Sequence, residues 1–209
     1  MAKQLAFYLD QSACTGCKAC QIACKDKNNL PVGITWRHAM YYGGGSWLPH
    51  PTRSDLVVTN NIFAYALSKA CMHCENPACV SVCPAAAITK RADGVVLINQ
   101  DQCVGCRYCE WACPYGAPQF DEKKGVMTKC TFCEDLLAQG QNPACVDACP
   151  MRALQYGELS DLRAKYGTLN AIEPLPVASI THPALVLSPH KHAQPSGTGT
   201  GKILDPEEM

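Results

Sequence analysis

Apolar residues in this chain come in short bursts broken by glycine, proline and polar side chains. Runs such as Val95-Val96-Leu97-Ile98 fall far below the about 18 residues that span a bilayer, so no membrane crossing of the chain's own is expected. In "AITKRADGVVLI" two runs flank Asp93-Gly94, which predicts a hairpin whose strands are too short to stand alone. "NPACVSVC" and "NPACVDAC" read as short helices beginning near Pro77 and Pro143, where a missing N–H is no loss. "GVMTKC" predicts a short strand. Ser160 to Tyr166 predicts one helix, capped by Ser160 and stopped at Gly167. "YYGGGSW" reads as a loop. Beyond the helix, "EPLPVASITHPALVLSPHKHAQPSGTGTGK" predicts an extended segment whose composition favours disorder unless it lies on a surface. The sum is an α+β chain with little regular structure.

Composition sharpens the question of what holds such a chain together. The apolar share of 47% counts sixteen cysteines, and only four Phe and three Trp are present. Side-chain packing is therefore thin, and metal–thiolate bonds would supply what it lacks. Eighteen basic and eighteen acidic residues give a formal net charge of zero, which leaves no footprint for nucleic acid. The opening "MAKQLAFYLDQSA" is too short and too polar for a secretory signal. Export, if it occurs, is expected to depend on a partner.

The cysteines form four sets of four with none left over. The first is Cys14, Cys17, Cys20 and Cys24, spaced C-x2-C-x2-C-x3-C, and the third, Cys103, Cys106, Cys109 and Cys113, repeats that spacing. The second, Cys71, Cys74, Cys79 and Cys83, has a widened middle gap; in the fourth, Cys130, Cys133, Cys145 and Cys149, the gap is filled by "EDLLAQGQNPA". Sets two, three and four end in Cys-Pro, whereas set one ends in Cys24-Lys25. A C-x2-C-x2-C-x3-C-P run is the bacterial ferredoxin signature of a [4Fe–4S] cluster. Three cysteines wrap one cubane on a loop whose N–H groups can face its sulfurs. The fourth lies a helical turn further on and completes a neighbouring cluster, and proline then stops the helix. Sixteen thiolates on four oxidised clusters would give each cluster about −2 and the chain about −8, which the formal charge conceals.

Other cysteine chemistries fit less well. A disulfide framework suits a short secreted chain with scattered cysteines. Structural zinc uses two C-x2-C pairs and needs neither a third cysteine two residues on nor Cys-Pro. A redox C-x-x-C enzyme carries one pair beside a βαβ unit.

Taken together, "CTGCKACQIACKD", "CMHCENPACVSVCP", "CVGCRYCEWACPYGAPQ", "MTKCTFCE", "PACVDACPMRAL" and the tail "PSGTGTGKILDPEEM" resemble the four-cluster iron–sulfur subunits of molybdopterin oxidoreductases. Within that group, the third motif and the tail point to the dimethyl sulfoxide reductase branch. The resemblance implies two bacterial-ferredoxin-like modules with duplicated [4Fe–4S] motifs, long loops and an extended C-terminal tail. It pairs motif one with four and two with three, a choice that spacing alone leaves open. The first module would comprise residues 1–30 plus 125–158 and the second 71–124. Residues 31–70 would be an insertion that covers the second module or touches the catalytic subunit, and 159–209 a short helix and partner-binding tail.

Cluster 1, nearest the catalytic subunit, would by this resemblance take Cys14, Cys17, Cys20 and Cys149. Cluster 2 would take Cys24, Cys130, Cys133 and Cys145; cluster 3, Cys71, Cys74, Cys79 and Cys113. Cluster 4, nearest the membrane, would take Cys83, Cys103, Cys106 and Cys109. In related nitrate reductase subunits the position of Cys106 is Trp and the last cluster is [3Fe–4S]. Cysteine here implies four [4Fe–4S] clusters.

The implied role is conduction by a non-catalytic subunit, from an integral membrane quinol-oxidising anchor to a molybdopterin catalytic subunit, in an anaerobic dimethyl sulfoxide reductase. The same role in a polysulfide, tetrathionate or arsenate reductase, or a formate dehydrogenase, is the alternative, because the partner chooses the substrate. Formate dehydrogenase subunits of this type carry a C-terminal transmembrane helix, which weighs against that one. A zinc-stabilised structural protein is the remote alternative. The chain would sit peripherally on the cytoplasmic membrane, on its outer face if the partner carries a twin-arginine signal and on its inner face if not.

No residue reads as catalytic. His73 lies inside motif two, but four cysteines already complete that set, so packing is expected. Tyr108 and Trp111 flank motif three and are expected to pack there rather than face the quinol end. Lys18 and Arg107, inside cluster loops, either raise cluster potentials or are solvated or paired with a partner. His182, His190 and His192 have no metal spacing.

Overall fold

In the computed structural model, which describes residues 3–206, the strand β1 (Leu5–Asp10) is the centre of a three-stranded sheet. Met1, Ala2 and residues 207–209, the end of the expected tail, lie outside the described residues. β1 runs antiparallel to β8 (Leu154–Glu158) and parallel to β9 (Leu185–Ser188). Successive side chains on a strand point to opposite faces, and here both faces are buried. Phe7 and Leu9 enter a core shared with Cys20 and Cys145. Ala6 and Tyr8 pack with Leu159 and Leu162 of the helix α6 (Leu159–Tyr166), where Tyr8 stacks on Tyr166 with ring centroids 3.7 Å apart. The sheet thus separates a cysteine-rich side from a helix-covered side.

β9 comes from the segment expected to be an extended tail for a partner. The structure corrects that reading, because Leu185, Val186 and Leu187 are buried in the central sheet and Ile172 and Leu175 join the same core. A strand buried on both faces reads as an unbroken apolar run, and "ALVL" is too short for that run to announce itself. Further on, β10 (Lys202–Ile203) pairs with the strand β2 (His38–Pro49).

β2 contains "YYGGGSW", so the expected loop is in fact a strand. It pairs antiparallel with β3 (Val57–Lys69), from His38 opposite Lys69 to Pro49 opposite Val57, with a bulge between Gly44 and Ser46. The glycines serve the bulge: Gly45 has φ 105°, and a Cβ there would lie 2.6 Å from the Asn61 carbonyl oxygen. The base of this ribbon is core, through Met40, Tyr42, Tyr65 and Leu67. Its far half is exposed on both faces, with Trp47 and Val57 each 63% exposed. Leu9, Met40, Leu67 and Leu187 are each 1% exposed, and burying side chains of this size contributes about 1.5–3 kcal/mol apiece.

The short elements follow the sequence closely. α2 (Ala78–Ser81) and α5 (Ala144–Asp147) start directly after Pro77 and Pro143. β4 (Ile88–Lys90) and β5 (Val96–Ile98) form the expected hairpin, with Gly94 at φ 83° in its turn. β6 (Gln119–Asp121) pairs with β7 (Val126–Thr128), the strand leading into set four, and α4 (Glu134–Leu137) occupies the long gap of that set. α3 (Tyr108–Ala112), like α2 and α5, stops before its Cys-Pro, whereas α1 (Ala19–Lys27), which has no proline after Cys24, runs for nine residues. Lys25, standing in the proline's place, donates to the carbonyls of Pro31 at 2.7 Å and Ile34 at 2.8 Å. α1 packs on α5 and α2 on α3, so helices of motifs one and four, and of two and three, are neighbours.

α6 departs from expectation at its start. It begins at Leu159 after Glu158, with no side-chain cap, and Ser160 lies in its first turn against Asp161. It ends at Gly167, φ 90°, as expected.

Candidate functional site

Each of the four C-x2-C loops turns left-handed at the residue before its second cysteine. Gly16 (φ 67°), His73 (φ 42°), Gly105 (φ 67°) and Phe132 (φ 61°) occupy that position. One backbone device is therefore used four times, with glycine at two copies, where a side chain has least room. A Cβ on Gly16 would meet the Tyr41 ring at 2.4 Å, and one on Gly105 the Gly125 carbonyl oxygen at 2.4 Å. Backbone N–H groups, one in the fourth loop and two in the segments after the third motif, face sulfur. Phe132 N–H donates to Cys130 Sγ at 3.4 Å, Met127 N–H to Cys103 Sγ at 3.4 Å, and Ala117 N–H to Cys113 Sγ at 3.5 Å.

Two cavities are lined by cysteines from separate motifs. Cys14, Cys17, Cys20 and Cys149 line one, with Leu9, Ala39 and Leu154 behind them. Cys71, Cys74, Cys79 and Cys113 line the other, with Met72, Val96 and Tyr115. Elsewhere, the Cys24 thiol has Cys145 and Cys133 as electrostatic neighbours, and Cys109 has Cys103, Cys106 and Cys83. The groups also adjoin one another: Cys145 feels Cys20, and Cys130 feels Cys71. Cys79 and Cys109 share one buried cluster with Ile88, Val96 and Met127.

This donor set fits a [4Fe–4S] cluster. The residues lining the two cavities include four cysteines each and no carboxylate. Among the described residues, no three or more His, Cys, Asp or Glu side chains close on a single-ion site. The thiols of each set line a common space, as a cluster requires. Burial also resists free thiolates. It pushes Cys24 and Cys79 up to about 12 and Cys74 and Cys109 up to about 11, and raises Cys130 further. Such thiols ionise when a cation shares the site.

Arg37 is the cation that sequence reasoning missed. It is 2% exposed and lies among Cys145, Cys20, Cys130 and Cys24; burial works against its charge, and these sulfurs, once they are thiolates, favour it. Its guanidinium sits 4.5 Å over the Phe7 ring, and Nη1 donates to Ser68 Oγ at 3.1 Å. Nη2 is buried with no partner among the described residues. In the sequence Arg37 is one basic residue between Trp36 and His38, with no spacing to mark it. Lys129 is also buried, its Nζ donating to the carbonyls of Val96 and Cys130.

The other singled-out residues divide clearly. His73 is packed, as expected: it is 1% exposed, and its Nδ1 accepts from Val96 N–H at 3.0 Å. Burial, then Lys129 and Arg37, hold its pKa well below the usual histidine range. Lys18 pairs with Asp205 at 2.9 Å, and Arg107 pairs with Glu110 at 3.2 Å while lying over the Phe120 ring. Both loop cations thus have carboxylates of this chain beside them. Tyr108 and Trp111 do not pack as expected; they are 50% and 75% exposed, with ring centroids 5.7 Å apart. His190 and His192 lie side by side, and His182 faces Asn76.

Comparison with known proteins adds a lineage to this geometry. A 4Fe-4S dicluster domain matches residues 62–159, and a 4Fe-4S binding domain matches residues 11–35. The B subunit of the anaerobic dimethyl sulfoxide reductase of Escherichia coli (strain K12) is 47% identical over 209 residues, covering all of both chains. Its namesake in Haemophilus influenzae is 48% identical over 207 residues, 99% of this chain and all of that one. The B subunit of the polysulfide reductase of Wolinella succinogenes is 40% identical over 195 residues, 91% of this chain and 97% of that one.

Proposed function

The chain belongs to the family of anaerobic dimethyl sulfoxide reductase B subunits, the iron–sulfur subunits of molybdopterin oxidoreductases, and on that premise we propose that it links a quinol-oxidising membrane anchor to a catalytic subunit that reduces dimethyl sulfoxide. It is an electron-transfer subunit rather than a catalyst, with sixteen cysteines for four [4Fe–4S] clusters. When bound, the clusters supply one-electron redox chemistry. The chain's own residues space them, dry their surroundings and set their electrostatics.

The observation that carries this reading is the cavity lined by Cys14, Cys17, Cys20 and Cys149, in which three cysteines of the first motif meet the last cysteine of the fourth. We assign these to cluster 1. The cavity of Cys71, Cys74, Cys79 and Cys113 supports cluster 3. The thiol neighbourhoods support Cys24, Cys130, Cys133 and Cys145 for cluster 2, and Cys83, Cys103, Cys106 and Cys109 for cluster 4. The two modules are then residues 1–30 with 125–158 and residues 71–124. Adjacency of Cys20 to Cys145, of Cys130 to Cys71, and of Cys79 to Cys109 supports the linear order 1–2–3–4. Shared elements such as α1 against α5 keep successive steps short.

No helix among the described residues is long and apolar enough to cross a membrane, so the anchor is assigned to a partner. Cluster 4 faces that anchor in this reading and cluster 1 the molybdopterin subunit. Residence on the outer face follows if the catalytic partner is exported folded. Polysulfide as terminal substrate is the second reading, on the 40% identity to a polysulfide reductase subunit.

Anaerobic purification of the native complex tests the core of this. Iron and acid-labile sulfide at about sixteen each per chain are expected, whereas zinc without sulfide would reject it. Identification of the largest subunit, with quinol oxidation measured against dimethyl sulfoxide and polysulfide, decides the substrate. Protease accessibility in intact spheroplasts decides the membrane face.

A further inference from the structure

Arg37 has the environment of a counter-cation whose anion is not a carboxylate. Leaving a guanidinium buried and unpaired is strongly unfavourable. Yet among the described residues no Asp or Glu pairs with it, and one of its terminal nitrogens has no partner. What surrounds it is sulfur, from both candidate clusters of the first module. On one side it adjoins the thiols of Cys145, Cys130 and Cys24, all assigned to cluster 2. On the other, Nη1 donates to Ser68 Oγ, which lies 3.3 Å from Cys20 Sγ of cluster 1. Since the Ser68 oxygen accepts from Arg37, its own proton is free to face the Cys20 sulfur. Phe7 beneath the guanidinium, itself stacked on Phe132 with centroids 4.2 Å apart, keeps the site dry.

We propose that Arg37 is the shared counter-cation of clusters 1 and 2 and holds the reduction potentials of both above the values they would have without it. The inference rests on the cluster grouping proposed above. A one-electron reduction adds a negative charge to a cluster, and a fixed positive charge nearby in a low-dielectric site stabilises that reduced form. Arginine suits the task because it stays protonated when buried and is weakly hydrated. Arg37 adjoins thiols of both clusters, and Ser68 adds a hydrogen-bonded link to Cys20 alone, so removing Arg37 affects both, while removing the Ser68 hydroxyl affects cluster 1 alone. Lys18 and Arg107, beside carboxylates and near the surface, lack this leverage.

The test is an EPR-monitored redox titration of the intact complex carrying Arg37→Gln, Arg37→Lys or Ser68→Ala, with iron content measured alongside. Arg37→Gln is expected to lower the midpoints of clusters 1 and 2 and leave those of 3 and 4 in place. Arg37→Lys is expected to restore most of the shift, and Ser68→Ala to lower cluster 1 only. Unchanged midpoints in a fully loaded Arg37→Gln complex would overturn the proposal, as would a shift of equal size in Arg37→Lys. Should Arg37→Gln fail to load iron, the lysine variant decides: near-native midpoints support a role for charge, and a glutamine-like failure to load overturns it. Wild-type complex without iron would instead remove the grouping on which the inference stands.

Discussion

Asp205 and Lys18, 187 residues apart, are joined by a 2.9 Å ion pair that ties the end of the described chain to the first cysteine loop. The other Asp205 oxygen accepts from Tyr41 N–H at 2.9 Å, so one carboxylate closes the tail over both the loop and β2. Burial opposes the Asp205 charge, but Lys18 and the Tyr41 N–H outweigh it and leave its pKa lowered. A depressed carboxylate contributes stability above its unfolded pKa and loses it as pH falls through the folded one. Asp205→Asn should therefore loosen the tail by about 1 kcal/mol at neutral pH, an amount typical of a partly exposed pair. Hydrogen exchange at Lys202 and Ile203 measures it, and unchanged protection there would contradict the tie.

Cys106 stands where the implied nitrate reductase counterpart has Trp. Cys106→Ser is expected to convert or lose one cluster while the other three remain, and to block turnover driven by quinol. Turnover driven by an artificial donor that reaches the other clusters should persist. Native quinol-linked rates with an unaltered EPR spectrum would show that Cys106 holds no cluster.

Gly105 and Gly140 offer a controlled pair, at φ 67° and φ 73°. An alanine at Gly140 meets nothing within 4 Å, whereas one at Gly105 would lie 2.4 Å from a backbone oxygen. Gly140→Ala should cost about 1 kcal/mol, the ordinary penalty of a left-handed residue. Gly105→Ala should cost roughly 2–3 kcal/mol more, because backbone must move, and it should lower iron content selectively. Thermal unfolding of both variants under anaerobic conditions compares them; equal melting temperatures would refute the close approach.

His38 gives a pH signature. Burial, reinforced by Lys69, pulls its pKa down to about 4. Because the unfolded value lies near 6.5, the unfolded chain takes up a proton first, and stability present above about pH 6.5 is lost as pH falls toward 4. The shift corresponds to at most about 3 kcal/mol, and roughly half of that is expected once solvent screening is allowed for. Denaturant midpoints at pH 7 and pH 5 for wild type and His38→Gln should diverge, the variant being the less acid-sensitive. Parallel profiles would rule His38 out.

Much of the local architecture was legible in the chain because its causes are local. Proline after the fourth cysteine ends α2, α3 and α5, and its absence lets α1 continue; Asp93-Gly94 turns the β4–β5 hairpin. Three elements misled. "YYGGGSW" is glycine-rich because β2 bulges and approaches its partner closely, a need created by β3 further along the chain. "ALVL" is a strand only because β1 supplies a partner from the other end of the chain. Trp111 lies exposed because α3 turns its cysteine, not its tryptophan, inward.

The sequence by itself determined the number and kind of sulfur donors, since thiol spacing sets which loops can wrap a cluster and needs no distant contact. Only the tertiary structure decided which loops face one another, and it decided Arg37. A charge reveals its role through what surrounds it. The thiols around Arg37 come from Cys20 and Cys24 on one side of the sequence and from Cys130 and Cys145 on the other, more than ninety positions away. No spacing rule along the chain describes that neighbourhood; it exists because α1 packs on α5 beneath β1.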